Sequence, residues 1–124
     1  HALPAPPEQA TLIAADLTEL ANDIPAPTLS HAFANTGEAL GAAWVVAGSS
    51  LGNRTMLAQR RKAGLEGADR FLPDRAMPTY LKEVLAVLDT HDDARLTAEA
   101  IRGANNTFAL FEAAFADHML ELAA

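Results

Sequence analysis

Apolar residues recur at helical spacing in the first part of the chain. Leucine and isoleucine at positions 12, 13, 17 and 20 share one side, and Asp16 and Glu19 lie on the other. Pro7 suits the first position of a helix, and the pattern fades at residues 22–23. Two prolines interrupt residues 24–28. These positions predict a first helix followed by a linker.

A second, much longer helix is predicted to begin near Thr28 or Ser30, since either hydroxyl suits an N-cap. It runs to about Lys62, and Gly64 lies where a helix commonly stops. The cations at 60–62 match the negative end of a helix dipole. Glycines inside this segment are natural places for a bend. The pattern therefore predicts one long helix bent at its glycines.

Two further helices complete the predicted fold. Thr90, with Asp93 three residues later, resembles a capping box at the start of the last one, which continues to about residue 122. The third helix, at 78–89, has a predicted inner face of Tyr80, Leu81, Val84, Leu85 and Leu88. The apolar side of the last helix consists of Leu96, Ile101, Phe108, Phe111, Phe115 and Leu122. The chain should therefore be an all-α bundle of about four helices in a single domain, residues 1–124.

Charge and composition limit the classes of partner and the kinds of site that the chain can have. Nine basic residues against 16 acidic ones give a net charge of -7, which disfavours nucleic acid and anionic membranes as partners. The absence of cysteine excludes disulfides and thiolate metal sites. No apolar run approaches the roughly 18 residues that span a bilayer, and the first residues lack a signal-peptide pattern. We therefore expect a cytoplasmic protein.

Four glycines fall on one face of the long helix. At about 100° per residue, Gly37, Gly41, Gly48 and Gly52 lie within about 60° of one another. Each costs about 1 kcal/mol relative to alanine in a helix interior. Something must lie against this bare main chain to offset that cost. Two occupants are plausible: a neighbouring helix, which small residues admit closely, or a flat ligand.

The second glycine pair carries polar residues that favour the ligand. In GSSLGNR, Ser49, Ser50 and Asn53 accompany the glycines. Side chains of this kind hydrogen-bond a bound molecule or loosen the local helical ladder. These residues alone do not decide whether a neighbouring helix or a flat ligand lies against the glycine face.

Three segments resemble bacterial heme oxygenases. ALGAAWVVAGSSLGNR, at 39–54, resembles the GALYVLEGSxLGGR-type segment of the distal helix in that family. NNTFALFEAAF, at 105–115, is similar to the family's closing helix, and ATLIAADLTEL, at 10–20, to its acidic helix. The resemblance implies a heme oxygenase-like multi-helix bundle with a long glycine-kinked distal helix. It also implies cleavage of heme to biliverdin, iron and carbon monoxide, with electrons from a reductase.

The resemblance also assigns residues to heme. Gly48 and Gly52 correspond to the kink glycines that let the distal main chain lie close to the iron-bound oxygen, and no side chain there need act as an acid or base. For the phenylalanines at 108, 111 and 115, core packing is the main interpretation, and lining a heme edge is the alternative. The heme-binding residues that follow are Gly48, Ser49, Gly52, Asn53, Arg54 and Phe108.

The sequence departs from the family at the iron ligand. The family's proximal histidine lies on a helix preceding the acidic one, and here only His1, in a proline-rich lead-in, comes before that helix. Ala47 and Asn53 also replace a motif glutamate and glycine. The remaining histidines, interpreted as helix-start or surface residues without metal-site spacing, are His31, His91 and His118. The alternative function is therefore a shortened, non-catalytic binding module that closes its open face as a homodimer.

Overall fold

The computed structural model describes residues 3–20 and 32–123, with side chains in the last helix given to residue 117 and at Met119. The described chain is helical and contains no β-strand, which confirms the predicted all-α class. None of its helices is long and apolar enough to cross a membrane. The helical elements are α1 (Ala10–Glu19), α2 (Thr36–Ser49), a 3-10 turn (Ser50–Gly52), α3 (Asn53–Lys62), α4 (Ala76–Thr90) and α5 (Ala94–Ala123).

The predicted long helix is two helices, α2 and α3, joined by the 3-10 turn. The break falls in the glycine cluster, as predicted, and the Ser50 hydroxyl donates to the carbonyl of Ala47 at 2.6 Å beside it. The predicted start is wrong. Helix α2 begins at Thr36, where the Asn35 side chain accepts a hydrogen bond from the Glu38 N–H at 2.8 Å. The caps proposed at positions 28 and 30 lie outside the described residues.

Helix α5 begins differently from the prediction. Thr90 is the last residue of α4, and its hydroxyl bonds back to the carbonyl of Val87, so the proposed capping box is wrong. Asp93 alone caps α5, since its carboxylate accepts from the Arg95 N–H at 2.9 Å. At the other end of the chain, α1 ends at Glu19, before the predicted stop at 22–23, which lies outside the described residues.

Helices α2 and α5 pack through small residues that bring their main chains into contact. A methyl group at Gly41 would overlap the main-chain carbonyl of Ala100. A methyl group at Gly103 would likewise overlap the carbonyl of Glu38, and Gly37 lies against the same part of α5. The first two glycines of the predicted face are therefore covered by a neighbouring helix.

The core forms between α2 and α4. Leu40 and Val84 are fully buried there, and Tyr80 and Leu81 pack beside them. The predicted inner face of α4 is confirmed for these α4 residues. It is wrong for Leu85, which is largely exposed.

The phenylalanines of α5 do not form the core, so their main interpretation is wrong. Phe108, Phe111 and Phe115 are 49%, 46% and 67% exposed. The buried positions of α5 are small ones, including Ala100 and Ala104. Because main chain meets main chain at the helix contact, small side chains fill it and the large rings lie outside it.

Helix α1 is tied to the segment that joins α3 and α4. The buried Asp16 carboxylate accepts from the N–H groups of Arg70 and Phe71, the latter at 2.9 Å. The Arg70 guanidinium bridges Asp16 at 3.1 Å and Glu19 at 3.0 Å. Burial raises the pKa of Asp16, but the N–H donors of Phe71 and Arg70 and the guanidinium together outweigh it, so the net pKa is lowered.

Candidate functional site

Gly48 lies at the bottom of an open groove. A methyl group at this position would meet nothing within 4 Å. The groove has a volume of about 490 Å³ and lies between α2, α4 and α5. It is lined by Trp44, Val45, Gly48, Ser49 and Leu51 from α2 and the turn, Leu81 and Leu85 from α4, and Phe108 and Phe111 from α5.

One face of α2 thus changes its surroundings along its length. Helix α5 covers it at Gly37 with the Glu99 side chain and at Gly41 with the main chain of Ala100, whereas a methyl group at Gly48 or Gly52 would meet nothing within 4 Å. The two occupants predicted from the sequence, a neighbouring helix and a flat ligand, therefore apply to different parts of this face. Helix α5 accounts for the first glycine pair, and of the second pair only Gly48 lines the groove, where its main chain is open to a ligand.

Trp44 separates the groove from a second apolar depression. This smaller hollow, of about 310 Å³, lies between Gly41, Leu88 and the Ala100 region of α5, and the Trp44 side chain lines both. The indole is partly exposed. A large aromatic ring therefore stands beside the bare main chain, where it can stack on a flat molecule.

The groove suits binding of an apolar molecule, but its described lining offers few groups that could take part in a reaction. None of the described lining residues is ionisable, and the one hydroxyl among them, on Ser49, donates to the carbonyl of Val46 at 2.6 Å. The volume falls within the range of about 300–1,000 Å³ typical of small-molecule sites. An apolar, aromatic lining without an acid, base or nucleophile suits recognition of an apolar planar surface.

The structure brings together three of the six residues assigned to heme. Gly48, Ser49 and Phe108 all line the groove. Gly52 is exposed in the turn and lines no part of the groove. The remaining pair, Asn53 and Arg54, line a different and smaller pocket.

Among the residues that the structure describes, no histidine lines the groove. His91 follows the last residue of α4, and the side chains of His1, His31 and His118 lie outside the described part of the structure. Among the described residues, no three of the ligand types His, Cys, Asp and Glu cluster closely enough to hold a metal ion. The described lining of the groove therefore supplies no iron ligand.

Six wall residues were not assigned to heme from the sequence: Trp44, Val45, Leu51, Leu81, Leu85 and Phe111. The sequence did point to Trp44, because this residue borders the glycine stripe on a helical projection. Leu85 had none, since periodicity places it with the buried side of α4. Phe111 lies one helical turn from Phe108, so the two should have been assigned together.

Two of the three segments that resemble heme oxygenases meet at this groove. Residues 39–54 supply Gly48 and Ser49, and residues 105–115 supply Phe108 and Phe111. No family model, curated protein or solved structure matches this chain. The family assignment therefore depends on these residues and stays a prediction.

Proposed function

We propose that this chain is a heme oxygenase-like protein whose groove at Gly48 binds heme as substrate. One observation carries the proposal. Two segments that resemble the same family, about fifty residues apart in the sequence, form one groove, and its floor is uncovered main chain. The bundle would then have the heme oxygenase-like arrangement, with the α2–turn–α3 unit as its kinked distal helix.

The lining fits the ring of heme better than its iron. Trp44, Phe108 and Phe111 offer aromatic surface, and Gly48 lets a flat macrocycle approach the main chain. The groove's described lining residues include neither an iron ligand nor a cation for the heme carboxylates. Cleavage to biliverdin, iron and carbon monoxide, with a reductase as electron donor, therefore needs an axial ligand from beyond the groove lining.

A hemin titration tests binding. We expect a saturable Soret shift for the wild-type chain and its loss in Gly48→Leu, because the leucine side chain fills the floor of the groove. Gly52→Leu is the matched control, since that position is equally open but does not line the groove. Circular dichroism checks that both variants keep their helix content. Normal hemin uptake by Gly48→Leu would contradict the proposed site.

Cleavage is tested separately. Supplying a reductase, its electron source and oxygen to the hemin complex should produce biliverdin absorbance if the chain is an enzyme. Binding without pigment would contradict the oxygenase activity and leave a heme-binding module.

The second candidate is a non-catalytic interaction module that dimerises. It is favoured by the exposure of Phe108, Phe111 and Phe115 on one helix, which is unusual for rings of this size. We expect light scattering after size exclusion to show a concentration-dependent dimer that Phe115→Glu weakens. Phe115 does not line the groove, so this variant should still take up hemin. A monomer at every concentration would rule out this candidate.

A further inference from the structure

A second, smaller pocket lies beside the groove. It has a volume of about 170 Å³ and is formed by the 3-10 turn, the start of α3 and the segment that leads into α4. Asn53, Arg54 and Arg75 line it, with leucine and proline side chains completing the walls. Leu51 lies between this pocket and the groove and lines both. Among the described residues, Leu51 is the only one that the two linings share.

The pocket has a positive balance in an acidic protein. Arg54 and Arg75 are both exposed, and neither forms an ion pair with the described residues. The one acid in the lining, Asp74, already accepts at 3.1 Å from the Gln9 amide and at 3.1 Å from the Ala76 N–H. Two cations and one anion leave a formal charge of +1 at this place, whereas the chain as a whole carries -7.

Asn53 provides a second, independent observation. The residue is only 7% exposed, yet its side chain makes no hydrogen bond in the described part of the chain. No polar side-chain atom there is both sealed from solvent and unpaired, so the amide keeps its opening, and the pocket it lines provides it. Solvent therefore reaches the Asn53 amide through the pocket, and a ligand in the pocket can take the place of that solvent. The pocket therefore presents an amide that a ligand can satisfy.

We infer that this pocket binds a small oxyanion, a carboxylate or a phosphate group. Guanidinium groups recognise both by paired N–H donors, and the Asn53 amide adds a neutral donor from the buried side. Two arginines without ion pairs among the described residues and the largely buried Asn53 amide support this assignment. It stands independently of the proposed heme site.

Nuclear magnetic resonance of the ¹⁵N-labelled chain tests the inference. Sodium acetate and sodium phosphate are titrated separately, with sodium chloride at matched ionic strength as the reference. We expect a saturable shift of the Asn53 side-chain amide with at least one of the two probes. Saturation by acetate alone identifies a carboxylate site, by phosphate alone a phosphate site, and by both a general oxyanion site. A shift no larger than with chloride would overturn the inference.

Substitutions of the pocket arginines test whether the titrated anion binds in this pocket. Arg75→Gln and Arg54→Gln should each weaken binding about tenfold, the loss of a charge-assisted hydrogen bond. Arg61→Gln is the matched control, since it removes the same charge from α3 without touching this pocket. Equal weakening by the control would mean diffuse charge attraction and would overturn the site.

A third variant tests the buried amide. Asn53→Asp keeps the shape but places negative charge against the anion, and should abolish saturation, with the fold checked by its amide spectrum. Saturation as tight as in the wild type would exclude the amide from the site. Gly48→Leu should leave the response intact, so failure of the heme proposal and failure of this one remain distinguishable.

Discussion

At the residue scale, Gly41 and Gly48 share one face of α2 but differ in what lies beyond the α-carbon. Beyond Gly41 lies the carbonyl of Ala100, and beyond Gly48 lies the open groove. The same residue type therefore serves packing at one position and leaves space at the other. Stability measurements can separate these two roles without any ligand.

Replacing each glycine by alanine should have opposite effects on the free energy of unfolding. Gly41→Ala should lower it by about 1–3 kcal/mol, since overpacking against rigid main chain forces the helices apart. Gly48→Ala should raise it by about 0.5–1 kcal/mol, because alanine favours the helix and meets no neighbour. Urea unfolding followed by circular dichroism measures both. A stabilised Gly41→Ala variant would contradict the close helix contact.

At the element scale, two carboxylates, Asp16 and Glu19, attach α1 to the segment before α4. Asp16 receives N–H donors from Arg70 and Phe71, and Arg70 also reaches Glu19. Charge-assisted bonds to a buried carboxylate are stronger than neutral ones. The contact therefore acts as a pH-dependent clamp between two stretches far apart in sequence.

The clamp should fail in acid. The net pKa of Asp16 in the folded chain lies below its ordinary value of 3.8, so its contribution to stability is complete above that pH and is lost as the pH falls through the lowered pKa. Asp16→Asn should lower the free energy of unfolding by about 1–3 kcal/mol at neutral pH. The difference between variant and wild type should shrink near pH 3, as urea unfolding at the two pH values would measure. An equal difference at both pH values would contradict the role of the charge.

The local sequence pattern predicted where the helices lie, but it predicted the residues at which they begin less well. Apolar spacing predicted all four helical regions, and the glycine cluster predicted the break after Ser49. The helix starts at Thr36 and Ala94 were missed, because Asn35 and Asp93 cap there in competition with the hydroxyl residues chosen from the sequence. Several residues near each start can cap equally well, and tertiary contacts decide among them.

At the scale of the whole molecule, an acidic chain combines an apolar groove with a small positive pocket. The groove takes its aromatic wall from α5 because the buried strip of that helix is made of small residues. The pocket takes its arginines from α3 and from the segment before α4. Leu51 lines both places, so the turn that interrupts the long helix also forms the boundary between them.

The sequence by itself determined the helical class, the bare face of α2 and the presence of Gly48, Ser49 and Phe108 as site candidates. Hydrophobic periodicity and helix propensity depend only on residues close together in the chain, so the sequence alone is enough to recognise them. Only the tertiary structure decided that α5 covers one half of that face and leaves the other open, and that Asn53 and Arg54 face a different pocket. These outcomes depend on how two helices cross, which a single helix's pattern does not contain.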